Sequence, residues 1–438
     1  MARSRFRYRA ALPLLVVLAA APAFAEGEGF YGPLRVLDSE EGLMKTVAET
    51  EDLFVRRGYR YDDSELDRVV DRIGRSMAPK PTDGYIRYRF AVLRDIVPNA
   101  FSLPDGQVYL NMSLLALLEN EAQLASVLAH EVQHTAGHHG ILSFRSARRK
   151  IITSMALGPL TLGVGDYFLI RSIYGYSRDL EEEADLRGAK KMIVAGYDPR
   201  QMMRTFEILD GDGEGETLET RASKWSTHPE LQARIEYTRQ ALPGLTVGVK
   251  PGTLRVGAQG WGRLTRRARL DTAGDLILAD YPRSAMGLAR RLIRDNGSDP
   301  QAHFLLAEAR RTLGARPALE GEQELTRKDK RRALGNRYYR TREEWQASLL
   351  QTDEGRANQK ENMEAAIVSY RRTLALDAGM AEAHRGLGFA YAGLDRHREA
   401  GQQFVVYLRA RPNAPDKPLI VEQLKESTAR IKNGGSSR

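Results

Sequence analysis

Residues 120–139 read Asn120-Glu121-Ala122-Gln123-Leu124-Ala125-Ser126-Val127-Leu128-Ala129-His130-Glu131-Val132-Gln133-His134-Thr135-Ala136-Gly137-His138-His139. Asn120 is placed to cap a helix, with Glu121 in the first turn and Gln123 three residues on. Leu124, Val127 and Leu128 supply a buried face, and the helix is predicted to run through His134 to about His139. Residues four apart share a helix face, so His130 and His134 can offer imidazole nitrogens to one ion. Glu131 is turned about 100° from His130. There it can take a proton from water that the ion activates and pass it to a departing amine. The bland alternative is a core helix carrying two structural histidines. The well-formed helix and the features downstream favour the metal.

Two side chains do not hold a catalytic ion, so a third ligand is required. The chain has no cysteine, which leaves His, Asp or Glu. A metzincin-type extension would need a histidine at position 140, which is Gly140. His138 and His139 miss that register and read as polar helix-end residues. Ser177 to Ala195 is predicted as a second helix, stopped at Gly196 with Pro199 beyond. Within it, Glu181-Glu182-Glu183-Ala184-Asp185 places Glu181 and Asp185 on one face. Glu181 is the expected third ligand. Asp185 is expected to accept a hydrogen bond from the far nitrogen of a ligand histidine, His130, fixing its tautomer. Alone, such an acidic run reads as a solvated helix face; the paired histidines upstream change that.

The rest of the chain sets the context. Its 438 residues, 42% hydrophobic and 28% charged, suggest two or three globular domains. Arg3, Arg5, Arg7 and Arg9 precede an apolar run from Ala10 to Ala21, and Ala23-Phe24-Ala25 supplies a small-x-small cleavage pattern. Residues 1–25 are therefore read as a cleavable signal peptide, the apolar run being short of the ~20 residues a spanning helix needs. Removing it leaves 62 basic residues against 57 acidic ones, a scattered excess that gives no support to nucleic-acid binding. A periplasmic location is expected, with plain secretion as the alternative. Residues 151–165 are uncharged and largely apolar, but short and interrupted by Gly158, Pro159, Gly163 and Gly165. They read as a buried or cleft-lining segment rather than a membrane contact.

Before the metal helix, Asp63 to Met77 has helical spacing with Ser64 as cap, and Tyr85 to Val92 alternates as a half-buried strand. Leu103-Pro104-Asp105-Gly106 is a turn, and Gln107, Val108, Tyr109 and Leu110 form a short strand. Residues 244–262, rich in Gly and Val, read as a linker or small sheet element. From 263 to 438 the chain is helical and repetitive. In Ala381 to Ala414, Leu387, Gly388, Tyr391, Ala400, Phe404 and Pro412 fall where a 34-residue tetratricopeptide repeat wants them. Ala366, Tyr370 and Leu374 match the second helix of the preceding unit, and a looser unit surrounds Arg283 to Gly314. Residues 315–360 match the repeat poorly.

Taken in order, Asn99-Ala100-Phe101, Gly106, His130-Glu131-x-x-His134, Tyr176-Ser177-Arg178, Glu181-x-x-Ala184-Asp185 and Ala195-Gly196-Tyr197-Asp198-Pro199 resemble a known family. It is the gluzincin metallopeptidase family of the CAAX prenyl protease and HtpX heat-shock protease. The similarity is greatest to its soluble periplasmic branch, which carries tetratricopeptide repeats behind the catalytic domain. It covers residues 40–240 in detail and the repeats in general form. It implies an α+β zincin-like catalytic domain (26–243), mainly helical with a small sheet, one Zn2+ per chain and no other cofactor. A linker (244–262) and an all-α tetratricopeptide-like domain (263–438) follow. Thr227-His228-Pro229 matches a family element, which implies that His228 lies near the metal, capping it at rest or stabilising the oxyanion. The strand Gln107–Leu110 is placed like the cleft-edge strand of zincins, to which an extended peptide could add. The membrane helices of the prenyl protease and HtpX have no counterpart here.

The expected activity is zinc-dependent endoproteolysis, with Glu131 as general base. The resemblance suggests unfolded or stalled outer-membrane proteins as clients and an assembly-machinery partner for the repeats. On this view the repeats restrict access, and deleting residues 263–438 should raise cleavage of casein. Two rivals are a periplasmic repeat scaffold or chaperone with little proteolysis, and a different zinc hydrolase acting on peptide termini or cell-wall peptides.

Overall fold

The computed structural model describes residues 44–45, 47, 54–80, 84–154, 176–210, 231–250, 252–315 and 350–434. The proposed signal peptide, His228, residues 155–165 of the apolar segment and most of 315–360 lie outside them.

Helix α1 (Ser64–Met77) is capped by Asp63, whose side chain accepts from Leu66 N at 3.1 Å, so the cap falls one residue before the expected Ser64. Its apolar stripe of Leu66, Val70, Ile73 and Met77 is fully buried. Three strands follow: β1 (Arg89–Leu93), β2 (Ala100–Ser102) and β3 (Gln107–Asn111). They form one sheet in the order β1-β3-β2, parallel between β1 and β3 and antiparallel between β3 and β2. The turn before β3 needs Gly106: its φ is +98°, and a Cβ there would lie 2.6 Å from the Arg87 backbone.

The predicted alternation holds from Ile86 to Phe90, with Arg87 and Arg89 exposed, and ends at Ala91, where both sheet faces are covered. Phe90, Val92, Val108 and Leu110 face the main core with α1, whereas Ala91, Leu93 and Tyr109 pack on Val47, Leu103 and Phe144. The strand order also corrects the expected substrate strand. Gln107, Val108, Tyr109 and Leu110 lie on the central strand, paired on both sides, so their backbone cannot receive an added peptide. Of the two outer strands, β2 makes the larger contact with the metal helix described next.

Helix α2 (Met112–Leu117) leads to α3 (Glu121–Ala136), in which every residue after Glu121 is buried. A helix enclosed on all sides needs its first-turn amides satisfied from within the protein. Glu121 N donates to Gly257 O, Ala122 N to Val256 O, Gln123 N to the Asn120 side chain and Leu124 N to Asn120 O. The glycine- and valine-rich stretch thus closes the start of the metal helix rather than merely spanning a gap. At its other end α3 stops at Ala136, three residues short of the expected end. Gly137 caps it, His138 adopts φ +55°, and α4 (His139–Ser154) begins in a new direction.

Helices α5 (Arg178–Val194) and α6 (Arg200–Asp210) pack on α3, and α7 (Leu231–Leu245) packs on both of them. α5 comes closest: a Cβ on Gly188 would lie 3.3 Å from His130 N, so only a very small residue allows this approach. Helix α8 (Trp261–Leu278) shares the same core through Trp261 and Ala268. Trp261 Nε1 donates to Leu118 O at 2.7 Å and Arg269 Nη2 to the same oxygen at 3.1 Å, closing the end of α2.

The remaining helices are α9 (Pro282–Asp295), α10 (Pro300–Ala315), α11 (Asp353–Leu376), α12 (Ala381–Ala392), α13 (His397–Ala410) and α14 (Lys417–Gly434). α10 packs along α11, and α12 along α13. Two glycines of α12 make room for aromatic rings. A Cβ on Gly386 would strike Tyr370 and one on Gly388 would strike Phe404. Leu387, Tyr391, Ala400 and Phe404 share one apolar cluster. Residues 353–360 continue α11 rather than forming part of a separate element.

Candidate metal centre

α3 and α5 bring the expected ligands together. His130 Nε2 and His134 Nε2 are 2.9 Å apart, with their rings nearly perpendicular. Glu181 Oε2 is 3.6 Å from the first nitrogen and Oε1 3.5 Å from the second. Ligand nitrogens on a tetrahedral zinc ion sit about 3.3 Å apart, so the donor set has the right size and chemistry for one ion. Side-chain donors of His130, His134 and Glu181 all fall within 4.8 Å of one another, and all three residues are buried.

The far nitrogen of His130 is held as expected: Nδ1 lies 2.7 Å from Asp185 Oδ1. With its proton on Nδ1, His130 presents a lone pair at Nε2. Burial, then the neighbouring His130, push the His134 imidazole well below its ordinary value, which keeps it neutral and able to ligate. Two facing imidazole lone pairs beside a carboxylate repel one another unless a cation lies between them.

The charge balance points the same way. Glu131, Glu181 and Asp185 are each no more than 2% exposed, as is Arg234. Burial alone would raise the Asp185 carboxyl, but Arg234 and His130 outweigh it and hold it below the usual carboxylate range. Among the described residues, the buried charged groups here are these three carboxylates and one guanidinium, an acidic setting that suits a divalent cation. The residues therefore fit zinc.

Residues 61–241 match Peptidase family M48. Over that stretch, somewhat less than half of its length, the chain is similar to M48 peptidases. Among curated relatives, it is 33% identical over 162 residues to the "Mitochondrial metalloendopeptidase OMA1" of Schizosaccharomyces pombe, covering 36% of this chain and 48% of that protein. It is 28% identical over 258 residues to a "Putative beta-barrel assembly-enhancing protease" of Vibrio cholerae, covering 54% and 52%. Against the "Beta-barrel assembly-enhancing protease" of Escherichia coli it is 27% identical over 162 residues, covering 34% and 33%. The chain thus spans between a third and about half of the length of these relatives.

Sequence reasoning missed several residues of this centre. Arg234 on α7 donates through Nε and Nη2 to the two oxygens of Asp185 at 2.8 and 2.7 Å, and its Nη1 is 3.0 Å from Glu181 Oε2. One guanidinium thus joins a metal ligand to the carboxylate behind another ligand, a fork that a lysine could not form. Tyr237, one turn on, donates its hydroxyl to Asp185. The available signal was a charged residue inside the buried stripe Arg234, Ile235, Thr238 and Leu242.

His139 was misread as a polar helix end. It is 1% exposed, and its Nδ1 lies 2.8 Å from His134 Nδ1. His138 is likewise buried and meets the Tyr85 hydroxyl at 3.1 Å. Tyr176 stacks on the His134 ring, with centroids 3.8 Å apart.

Proposed function

We propose that this chain is a zinc-dependent metalloendopeptidase that hydrolyses peptide bonds of unfolded or misassembled envelope proteins. The convergence of His130, His134 and Glu181 around one position, with Glu131 fully buried beside them, is the observation that carries it. A bound zinc ion would polarise a scissile carbonyl and acidify water. Glu131 accepts the proton of the attacking water and delivers it to the leaving amine nitrogen. Asp185 and Arg234 hold His130 and Glu181 in the ligating geometry. Following the family resemblance, we assign His228 to the vicinity of the metal, capping it at rest or stabilising the oxyanion.

Support for envelope clients comes from the relatives named for β-barrel assembly. The arginine-then-apolar pattern of residues 1–25 is in keeping with export to the periplasm. We assign the helices after residue 263 to tetratricopeptide-type recruitment of clients or of an assembly-machinery partner. The glycine–aromatic packing of α12 on Tyr370 and Phe404 supports that assignment.

A scaffold or chaperone with little proteolysis has no use for a buried general base beside a complete ligand set. The substrate class is tested by incubating the zinc-loaded protein with casein, with short aminoacyl substrates and with purified cell wall. Internal cleavage of casein alone is expected. Release of single terminal residues or of cell-wall peptides would replace the endopeptidase by another zinc hydrolase.

A further inference from the structure

Each ligand imidazole has a second nitrogen turned away from the metal position, and the two are held by different chemistry. Asp185 Oδ1, which can only accept, lies 2.7 Å from His130 Nδ1, nearer than the Arg234 Nη2 donor at 3.2 Å, and that shorter contact favours the proton on Nδ1. His134 instead faces another imidazole, that of His139, which could either accept or donate. The far edge of His139 resolves this. Its Nε2 lies 3.6 Å from Glu183 Oε2, an ionic approach rather than a hydrogen bond, and Arg187 Nε is 3.0 Å from the other Glu183 oxygen.

A carboxylate at that edge favours the proton on His139 Nε2. The His139 Nδ1 then offers a lone pair, and His134 must donate its own Nδ1–H to it. That tautomer leaves His134 Nε2 unprotonated and directed at His130 Nε2 and Glu181, as a metal ligand requires. The backbone supplies the means. The left-handed residue His138 breaks the helix and starts α4 at His139, so His139 can turn back to a side chain five residues earlier. Tyr176 stacks on the His134 ring face, which sets the plane in which its edge meets His139.

We infer that His139, backed by Glu183, is a positioning residue that selects the zinc-binding tautomer of His134. This inference rests on the metal-centre assignment of the previous section. It is tested on the full chain by stripping the metal and measuring zinc affinity by competition with a chromogenic chelator. The proteins compared are wild type, His139→Leu, His139→Gln and Glu183→Gln.

Losing such a partner weakens metal affinity about 10- to 100-fold, and that is the result expected for His139→Leu. His139→Gln, whose amide oxygen can accept from His134 Nδ1, should recover most of the affinity. Rescue of this kind separates tautomer control from mere packing. Leu and Gln variants that bind zinc equally well or equally badly would overturn the inference while leaving the metal centre standing. Should His139→Leu fail to fold, Glu183→Gln decides, since that side chain is 33% exposed. Reduced zinc affinity is expected, and unchanged affinity overturns the inference. Wild-type protein that takes up no zinc would instead remove the metal centre itself.

Discussion

Arg234 and Asp185 form a fully buried two-pronged ion pair, at 2.8 and 2.7 Å, on helices whose contributing residues are 49 positions apart. The same guanidinium reaches Glu181, so one side chain from α7 organises both the third ligand and the orientation of the first. Removing one partner from a buried ion pair costs about 3–5 kcal/mol, because the other charge is left behind. Arg234→Met should therefore lower the unfolding temperature and weaken zinc binding together, read by thermal melts and chelator competition.

That loss has a defined pH dependence. Asp185 titrates below the usual carboxylate range in the folded protein, so its contribution is complete above the unfolded value, near pH ~4, and fades as pH falls through the folded value. The stability gap between wild type and Arg234→Met should be widest from about pH 5 to neutral and close in acid. A gap that widened below pH ~4 would contradict this arrangement.

Gly188 sets the distance between the two ligand-bearing helices. A Cβ there would already sit 3.3 Å from His130 N, tighter than ordinary van der Waals contact, so a larger side chain requires the helices to shift. Gly188→Leu should push α5 off α3, carrying Glu181 away from His130 and His134. Zinc affinity should fall by at least the factor of about 10 typical of losing a supporting contact. Retention of tight zinc binding in the folded variant would show that the close approach is not what assembles the site.

Much of this centre was legible in local spacing, because helical period alone places His130 with His134 and Glu181 with Asp185. The cap at Asn120 and the stop at Gly196 were readable for the same reason: each depends on one residue type at one position. Arg234 was not, since which distant helix supplies a counter-charge is a matter of tertiary packing. His139 was hidden by a helix break, for the periodicity that revealed His134 places a residue five positions on at the wrong angle. Strand alternation was readable as far as Phe90 but not beyond, because a second apolar cluster covers Ala91 and Leu93, and strand order is not written in any one strand.

The C-terminal helices bear on an expectation drawn from sequence, that removing residues 263–438 unleashes the protease. Trp261 is 2% exposed in the core that also holds α3, and Thr265, Ala268 and Arg269 lie buried on the same helix. A chain ending at residue 262 keeps Trp261 but loses the rest of that helix, and leaves Leu118 O without the Arg269 donor. Such a truncation should be insoluble or melt far below wild type, rather than cleave casein faster. Trp261→Ala should cost about 3–5 kcal/mol of stability in denaturant unfolding. A soluble, hyperactive 1–262 fragment would restore the gating idea.

The most direct test compares wild type with Glu131→Gln, both purified as full chains, for bound zinc and for cleavage of an unfolded protein such as casein. One zinc per chain is expected in each, because Glu131 is not among the ligands. The activity of the variant should be lower by about 10²- to 10⁴-fold, the contribution of a positioned general base. Equal cleavage by the two proteins, or no zinc in the wild type, would contradict the account at its centre.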